Sequence, residues 1–290
     1  MLALLGAFRL APRVNRDAGV SMAIATVARG AGAEVLHPSS EEEAIAAFGD
    51  GAEMTVLAGG TIVVPEMTYA YLKPERVLML GNAGLTGVAR DGSRTTIGAM
   101  TSVQDLVELA APLGPCAANV ADGEIRAQAT VGGNLCAPVG RDAPRGDLQA
   151  AFLALDAQVR SAGAGGERTD SVEDFLADKD GRLVLDISFD EPSAGGFARL
   201  DRPHTRYYSA LTVCITRAGD GTVRIAVAGV DGPAVRLPSA EAKADDPAAA
   251  GQAAVADAIF ADDALASAWY RERTLPVLIG RAFGGLQEDA

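Results

Sequence analysis

Two apolar runs in this chain end in adjacent glycines. "MTVLA" enters Gly59-Gly60-Thr61, and "ATVGGNL", from Ala129 to Leu135, repeats the device. Glycine removes the Cβ, so another group can approach the backbone closely. Consecutive N–H groups in such a turn can bind one anion, typically a phosphate. A tight turn is the plainer reading of a single pair. Two pairs that converge in space would instead hold a dinucleotide pyrophosphate between them. After the first pair the apolar run resumes, and Pro65 is expected to stop it. Competing phosphate motifs fail: there is no GxxxxGK[ST], and "GAGAEV", Gly30 to Val35, lacks a third glycine and a preceding strand. A nucleotide here would be bound in a non-Rossmann manner. "GAGGE", Gly163 to Glu167, reads as a flexible loop.

Composition bounds the rest. The chain has 290 residues, 49% of them hydrophobic, enough for two or three subdomains around a large core. A net charge of −13 argues against a general nucleic-acid binder, which needs a basic face. Cys116, Cys136 and Cys214 lie far apart without CxxC spacing. They cannot supply the four ligands of an iron–sulfur cluster, and they do not suggest a disulfide framework. Buried thiols in a reducing cytoplasm are expected. No apolar run approaches membrane-spanning length, and "MLALLGAF" lacks the basic start of a signal peptide.

Met1 to Ala33 is weakly patterned and is set apart as an N-terminal extension; whether residues 1–21, ahead of Met22, belong to the native chain is left open by the residues. From Glu34 a strand, a turn and a helix follow, the helix capped by Ser39 or Ser40 with acids Glu41 to Glu43 in a solvated first turn. "ERVLMLGN" reads as a strand. "SRTTIGAMTSVQDLVELA" reads as a strand, a turn and a helix capped near Thr101 or Ser102. "GDLQAAFLALDAQVRSA" has helical spacing at Leu148, Phe152, Leu155 and Val159, although Ala157 to Ala162 also suits a strand. "RLVLDISF", "ALTVCITRA" and "GTVRIAVAGV" read as strands, the last two joined by a Gly-Asp-Gly turn at Gly219. Two helical stretches close the chain, and Pro276 is expected to break or kink the second. "PSAGG", Pro192 to Gly196, reads as a boundary before a C-terminal domain. His37 reads as a strand end, and Arg271 and Arg273 as structural or at a subunit contact. Tyr207 and Tyr208 read as one side chain in and one out; His204 is carried as a minor candidate for contact with cofactor or acceptor.

In this order "VLAGGT…P", "TIGAMTSVQDL", "IRAQATVGGNLC" and "DLQAAFLALDA" resemble the FAD-binding medium subunit of molybdenum hydroxylases, the family of carbon monoxide dehydrogenase, xanthine dehydrogenase-type and N-heterocycle or aldehyde hydroxylase complexes. "VAGVDGPAVR" and "SAWYRERTLPVLIGRAF" resemble its C-terminal domain, so the likeness spans roughly Glu34 to Phe283. It implies an α+β fold, the FAD-binding type of the vanillyl-alcohol oxidase class. Two α+β subdomains, 34–88 and 89–191, would hold the flavin, and a C-terminal domain, 192–290, would pack a three-stranded antiparallel sheet against helices.

The resemblance also implies a site. Ala58, Gly59, Gly60, Thr61 and Ile62 match the first pyrophosphate loop; Thr130, Val131, Gly132, Gly133 and Asn134 match the second. Asp147 matches an acid that bonds the flavin's ribityl or adenosine portion, with Asp142 as the alternative. Thr101, Leu185 and Arg199 are the further cofactor contacts, Arg199 in place of a family lysine near the isoalloxazine. Ile62 departs from the usual Asp or Ser, and Ala127 from the usual Asn. No catalytic or metal residue is expected in the chain. The implied function is electron transfer. A large molybdenum-cofactor subunit and a small 2Fe–2S subunit would be partners, arranged as a dimer of heterotrimers, with non-covalent FAD passing electrons to an external acceptor. A stand-alone flavin oxidoreductase of the same broad fold is the competing reading.

Overall fold

The computed structural model describes residues 33–138, 146–202 and 205–288. The N-terminal extension up to residue 32, Asp142 and His204 lie outside them. Among the described residues three sheets follow one another in sequence.

The first is parallel and three-stranded, built from β1 (Glu34–Leu36), β2 (Met54–Leu57) and β3 (Arg76–Met79) in the order β1-β3-β2. Helix α1 (Glu41–Phe48) buries Ala44 and Phe48, one turn apart, against it. Both serines before α1 are used. The Ser40 hydroxyl accepts from the Glu43 N–H at 3.2 Å, and the Glu43 carboxylate accepts from the Ser39 N–H at 2.8 Å. This is a reciprocal cap. His37 is exposed just past β1.

The second sheet is antiparallel and five-stranded, in the order β4-β5-β8-β6-β7. Its strands are β4 (Val88–Asp91), β5 (Arg94–Gly98), β6 (Gln158–Gly163), β7 (Gly166–Ser171) and β8 (Arg182–Asp190). "GAGGE" is therefore not a flexible loop. Gly163 pairs with Gly166 across a tight hairpin, with Gly165 and Gly166 at φ of 83° and 90°. Short helices α3 (Leu113–Ala118), α4 (Gly123–Gln128), α5 (Val131–Leu135) and α7 (Val172–Ala177) lie in the same stretch. The segment after Ser102 makes only a 3-10 turn, Val103–Leu106, capped by the Ser102 hydroxyl. Arg160 of β6 ties the first two sheets. Its guanidinium donates to Glu41 of α1 at 2.6 Å and to Asp186 of β8 at 2.6 Å.

The third sheet is antiparallel: β9 (Ala194–Arg202), β10 (Thr205–Arg217), β11 (Val223–Ala228) and the two-residue edge strand β12 (Val235–Arg236). Three strands were expected; the fourth is too short to leave an alternating pattern in the sequence. Helices α8 (Pro238–Glu241), α9 (Pro247–Ala253) and α10 (Ala268–Glu288) cover it. Helix α10 runs through Pro276 without a break. Leu211, Val213 and Ile215 of β10 face α10, with Leu275, Ile279 and Ala282 opposite.

The other face of β10 carries Thr212, Cys214 and Thr216 toward α6 (Asp147–Ala154), whose eight residues are all buried. Thr216 donates to the Ala154 carbonyl at one end of α6, and Thr212 to the Asp147 carboxylate at 3.4 Å at the other. The lengths agree: four strand residues span about 13 Å and seven helical steps about 10 Å. A strand buried on both faces thus keeps hydroxyls where helix ends need partners. Among the described residues no helix is long and apolar enough to cross a membrane, and all three cysteines are free.

Candidate functional site

The first glycine pair leaves β2 and enters α2 (Val63–Thr68). Pro65 closes the apolar run in the sequence but does not stop the helix. It sits in the first turn of α2, where a missing N–H costs nothing. Gly60 takes φ of 73°. The N–H groups of Gly59, Gly60, Thr61, Ile62 and Val63 have no hydrogen-bond partner among the described residues, while the next, Val64, donates to the Gly60 carbonyl at 2.9 Å. A helix start leaves its first N–H groups without intrahelical partners, and here they follow two further free donors on a half-buried cleft wall. A run of five is what a bound anion would satisfy.

The second pair is built differently. Val131 N–H donates to the Thr101 carbonyl at 2.9 Å and Gly132 N–H to the Ala99 carbonyl at 2.8 Å. Gly133 N–H donates to the Thr130 hydroxyl at 3.2 Å, and Asn134 N–H to the Thr130 carbonyl at 2.8 Å. This loop has spent its leading donors on the protein. What it offers is a surface free of side chains, the Thr130 hydroxyl proton and the Asn134 carboxamide. The Asn134 Oδ1 accepts from Leu148 N–H at 3.0 Å, which ties the loop to α6.

The two loops converge. A Cβ on Gly59 would overlap the Gln128 carbonyl and lie 3.1 Å from the Ala129 Cα. Together they line a cleft of about 730 Å³ with Asp147, Met100, Ile125, Cys136, Lys179, Arg182 and Tyr208. That volume is in the range of small-molecule and cofactor sites. Of the residues expected from sequence, Ala58 to Ile62, Thr130, Gly132, Gly133, Asn134 and Asp147 line it.

Thr101, Val131, Leu185 and Arg199 do not. Thr101 is buried and braces Gly87, donating to its carbonyl at 3.1 Å and accepting from its N–H at 2.9 Å. Val131 points into the core. Leu185 is buried against α1, and its carbonyl accepts from Ala99, whose own carbonyl holds Gly132. Arg199 is paired with Asp201 on its own strand at 2.6 Å. The ammonium at the cleft belongs to Lys179, in the "KDGR" turn before β8. That turn was legible as Asp-Gly before a buried strand; its place at the cleft was not. Arg182 is committed elsewhere, donating to the Ser161 carbonyl at 2.7 Å and to the carbonyls of Ala164 and Gly166.

Tyr208, 42% exposed, is the cleft residue contributed by the third sheet. The side chain of Tyr207 lies outside the description. Burial pushes the Cys136 thiol up to about 11, with the Lys179 charge pulling weakly the other way. Cys136 is therefore a neutral wall residue at physiological pH. In the native chain its alkylation by iodoacetamide should stay slow at pH 8 and quicken only as pH approaches 11. Peptide mass mapping checks this; rapid labelling at pH 7 would show an activated thiolate instead.

Residues 30–189 match the family described as the FAD binding domain in molybdopterin dehydrogenase. The chain is similar to the carbon monoxide dehydrogenase medium chain of Hydrogenophaga pseudoflava, at 28% identity over 70% of this chain and 76% of that one. It is also similar to the nicotine 6-hydroxylase medium subunit of Paenarthrobacter nicotinovorans, at 26% identity over 84% of this chain and 93% of that one. Among solved structures, carbon monoxide dehydrogenase from Hydrogenophaga pseudoflava lacking the Mo-pyranopterin moiety of its cofactor superposes with a TM-score of 0.77 and 26% identity. That match covers 89% of this chain and 98% of the other. The loops, the cleft and the matched span converge on one assignment: this chain belongs to the FAD-binding medium subunits of the molybdenum hydroxylases, as the flavoprotein component of an oxidoreductase.

Proposed function

We propose that the chain is the flavin relay of a larger complex, taking electrons from 2Fe–2S clusters in a small partner subunit and passing them to an external acceptor. A large partner would carry the molybdenum cofactor and the substrate, the whole forming a dimer of heterotrimers in the cytoplasm. The fold would be the FAD-binding type of the vanillyl-alcohol oxidase class, with subdomains 34–88 and 89–191 and a C-terminal domain 192–290. The succession of the three sheets along the chain supports those boundaries. Two relatives bear the words medium chain or medium subunit in their names, which supports the partners.

One observation carries the cofactor reading: the five unpartnered N–H groups from Gly59 to Val63 at the cleft wall, on a loop packed against Gln128 and Ala129 at the head of the second glycine loop. FAD supplies the capacity to exchange electrons one or two at a time. The chain's residues bind and orient it. The N–H run would receive the pyrophosphate, and Thr130 and Asn134 would donate from the opposite loop. Asp147, held by Thr212 at the start of α6, would accept from a hydroxyl of the cofactor. Lys179 would set a positive charge at the cleft, and Tyr208 would close its wall.

The test is the native complex from its source. Acid denaturation should release FAD into the supernatant at one per chain, and native mass should show two partner subunits. FMN in the supernatant, or flavin that stays with the pellet, would overturn the cofactor assignment. A lone chain that oxidises substrate by itself would overturn the relay.

A further inference from the structure

Arg271 is 1% exposed, and its guanidinium meets four acceptors. Nε donates to the Ala210 carbonyl at 3.1 Å. One Nη donates to the carbonyls of Ala261 and Ala266, at 2.6 and 3.0 Å, and the other to Asp263 at 2.6 Å. A buried cation is costly unless every donor finds such partners. Three of the four acceptors belong to the loop leading into α10. The fourth is different.

Ala210 sits in an irregular stretch of β10. From Thr205 to Leu211 β10 advances while β9 retreats only from Arg202 to Leu200, so the pairing shifts twice, once before and once after Ser209. Bulged residues lie out of register with the ladder, and bulges commonly re-aim a side chain beside a site. The side chain carried here is Tyr208, which lines the cleft. The Ala210 carbonyl is held on one side and closely approached on the other. Arg271 donates to it, and Gly229, at φ of 93°, leaves room beside it, since a Cβ there would overlap this oxygen.

We infer that Arg271 is a positioning residue: its buried guanidinium clamps the bulged entry of β10 at Ala210, and thereby fixes how Tyr208 meets the cleft. The inference rests on the flavin reading only for what Tyr208 touches; the clamp itself is independent of it. Lysine cannot replace the fork, because one ammonium cannot serve acceptors set around a planar group.

Amide hydrogen exchange on the full apo chain reads the clamp. In the unmodified protein, residues 208–211 should exchange as slowly as the regular ladder of β10. Exchange as fast as at the Ala164–Gly165 turn would overturn the clamp even if no variant folds. In Arg271→Lys, exchange in this segment should rise about tenfold relative to α6 and β8. Asp263→Asn disturbs the same guanidinium away from Ala210 and should leave the segment slow. FAD titration reads the consequence. Arg271→Lys should weaken FAD about tenfold, whereas in a Tyr208→Ala background it should add almost nothing. Equal weakening in both backgrounds would make Arg271 merely structural. Absence of FAD binding by the unmodified chain would overturn the flavin reading, while the exchange result would still decide the clamp.

Discussion

A chain carrying Gly60→Ala should fold and lose FAD. Gly60 takes φ of 73°, and a Cβ there would lie 3.0 Å from the Val64 Cγ2. Alanine in the left-handed region costs about 1–2 kcal/mol. The N–H groups from Gly59 to Val63 donate to no described residue, and the loop is tied to α2 by its carbonyls, Gly60 accepting from Val64 N–H and Ile62 from Glu66 N–H, so it can relax to a negative φ at the cost of the first of these bonds without unfolding its neighbours. Relaxation turns the donor run away from one concavity, and the strain is then felt only when ligand demands the original shape. FAD should bind at least about tenfold more weakly, while the melting temperature should fall by no more than about 4 °C. Gly133→Ala should do less. Its Cβ would press on the Thr130 Oγ at 2.9 Å, in a loop whose N–H groups are already bonded. Gly219→Ala is the control, in open space without a left-handed φ. The measurements are flavin per folded chain and folding by circular dichroism. Unchanged FAD affinity in Gly60→Ala would reduce the first pair to a turn.

The order of elements was legible because its signals are local. Ser40 before three acids starts a helix wherever the chain goes afterwards. Alternation from Leu211 to Ile215 makes a strand whatever covers it. The glycine loops were legible as a pair of backbone devices, and both line the cleft. Their division of labour was not. Which N–H groups are spent depends on Thr101 and Ala99, distant partners that no spacing within "ATVGGNL" encodes. Arg199 and Lys179 make the same point for side chains. Both are cations on or beside strands, Arg199 on β9 of the third sheet and Lys179 just before β8 of the second. One is consumed by Asp201 two residues away on its own strand, and the other reaches the cleft from a turn. From sequence Pro65 reads as a stop and Pro276 as a break or kink. One falls in a first turn, where it is tolerated, and the other inside a long helix held by packing against β9 and α9.

The glycine pair Gly195-Gly196, which in sequence reads as part of a boundary before a C-terminal domain, performs neither task of the two cleft loops. A Cβ on Gly196 would overlap the Ala282 carbonyl of α10, and one on Gly195 would overlap the Ala111 carbonyl. From the helix side, a Cβ on Gly285 would lie 3.0 Å from the Gly196 Cα. Strand β9 and helix α10 thus cross backbone to backbone, with glycine on both. In Gly196→Ala the new methyl meets main chain rather than a side chain that can rotate away. Helix α10 must back off, loosening Leu275, Ile279 and Ala282 from β10. Overpacking of this kind costs about 1–3 kcal/mol, and a contact with backbone on both sides belongs at the upper end. At about 3 kcal/mol the melting temperature should fall by roughly 6–12 °C. The urea midpoint should move with an unchanged slope, as for a pure loss of native stability. FAD affinity, measured well below the midpoint, should fall by no more than the roughly tenfold expected of Arg271→Lys, because the second loop is anchored to Ala99, Thr101 and α6, and α10 acts on the cleft through the Arg271 clamp. A midpoint indistinguishable from that of Gly219→Ala would mean that α10 yields freely at the crossing. Stability lost together with FAD affinity, in proportion, would mean that the third sheet sets the shape of the cleft through more than Tyr208.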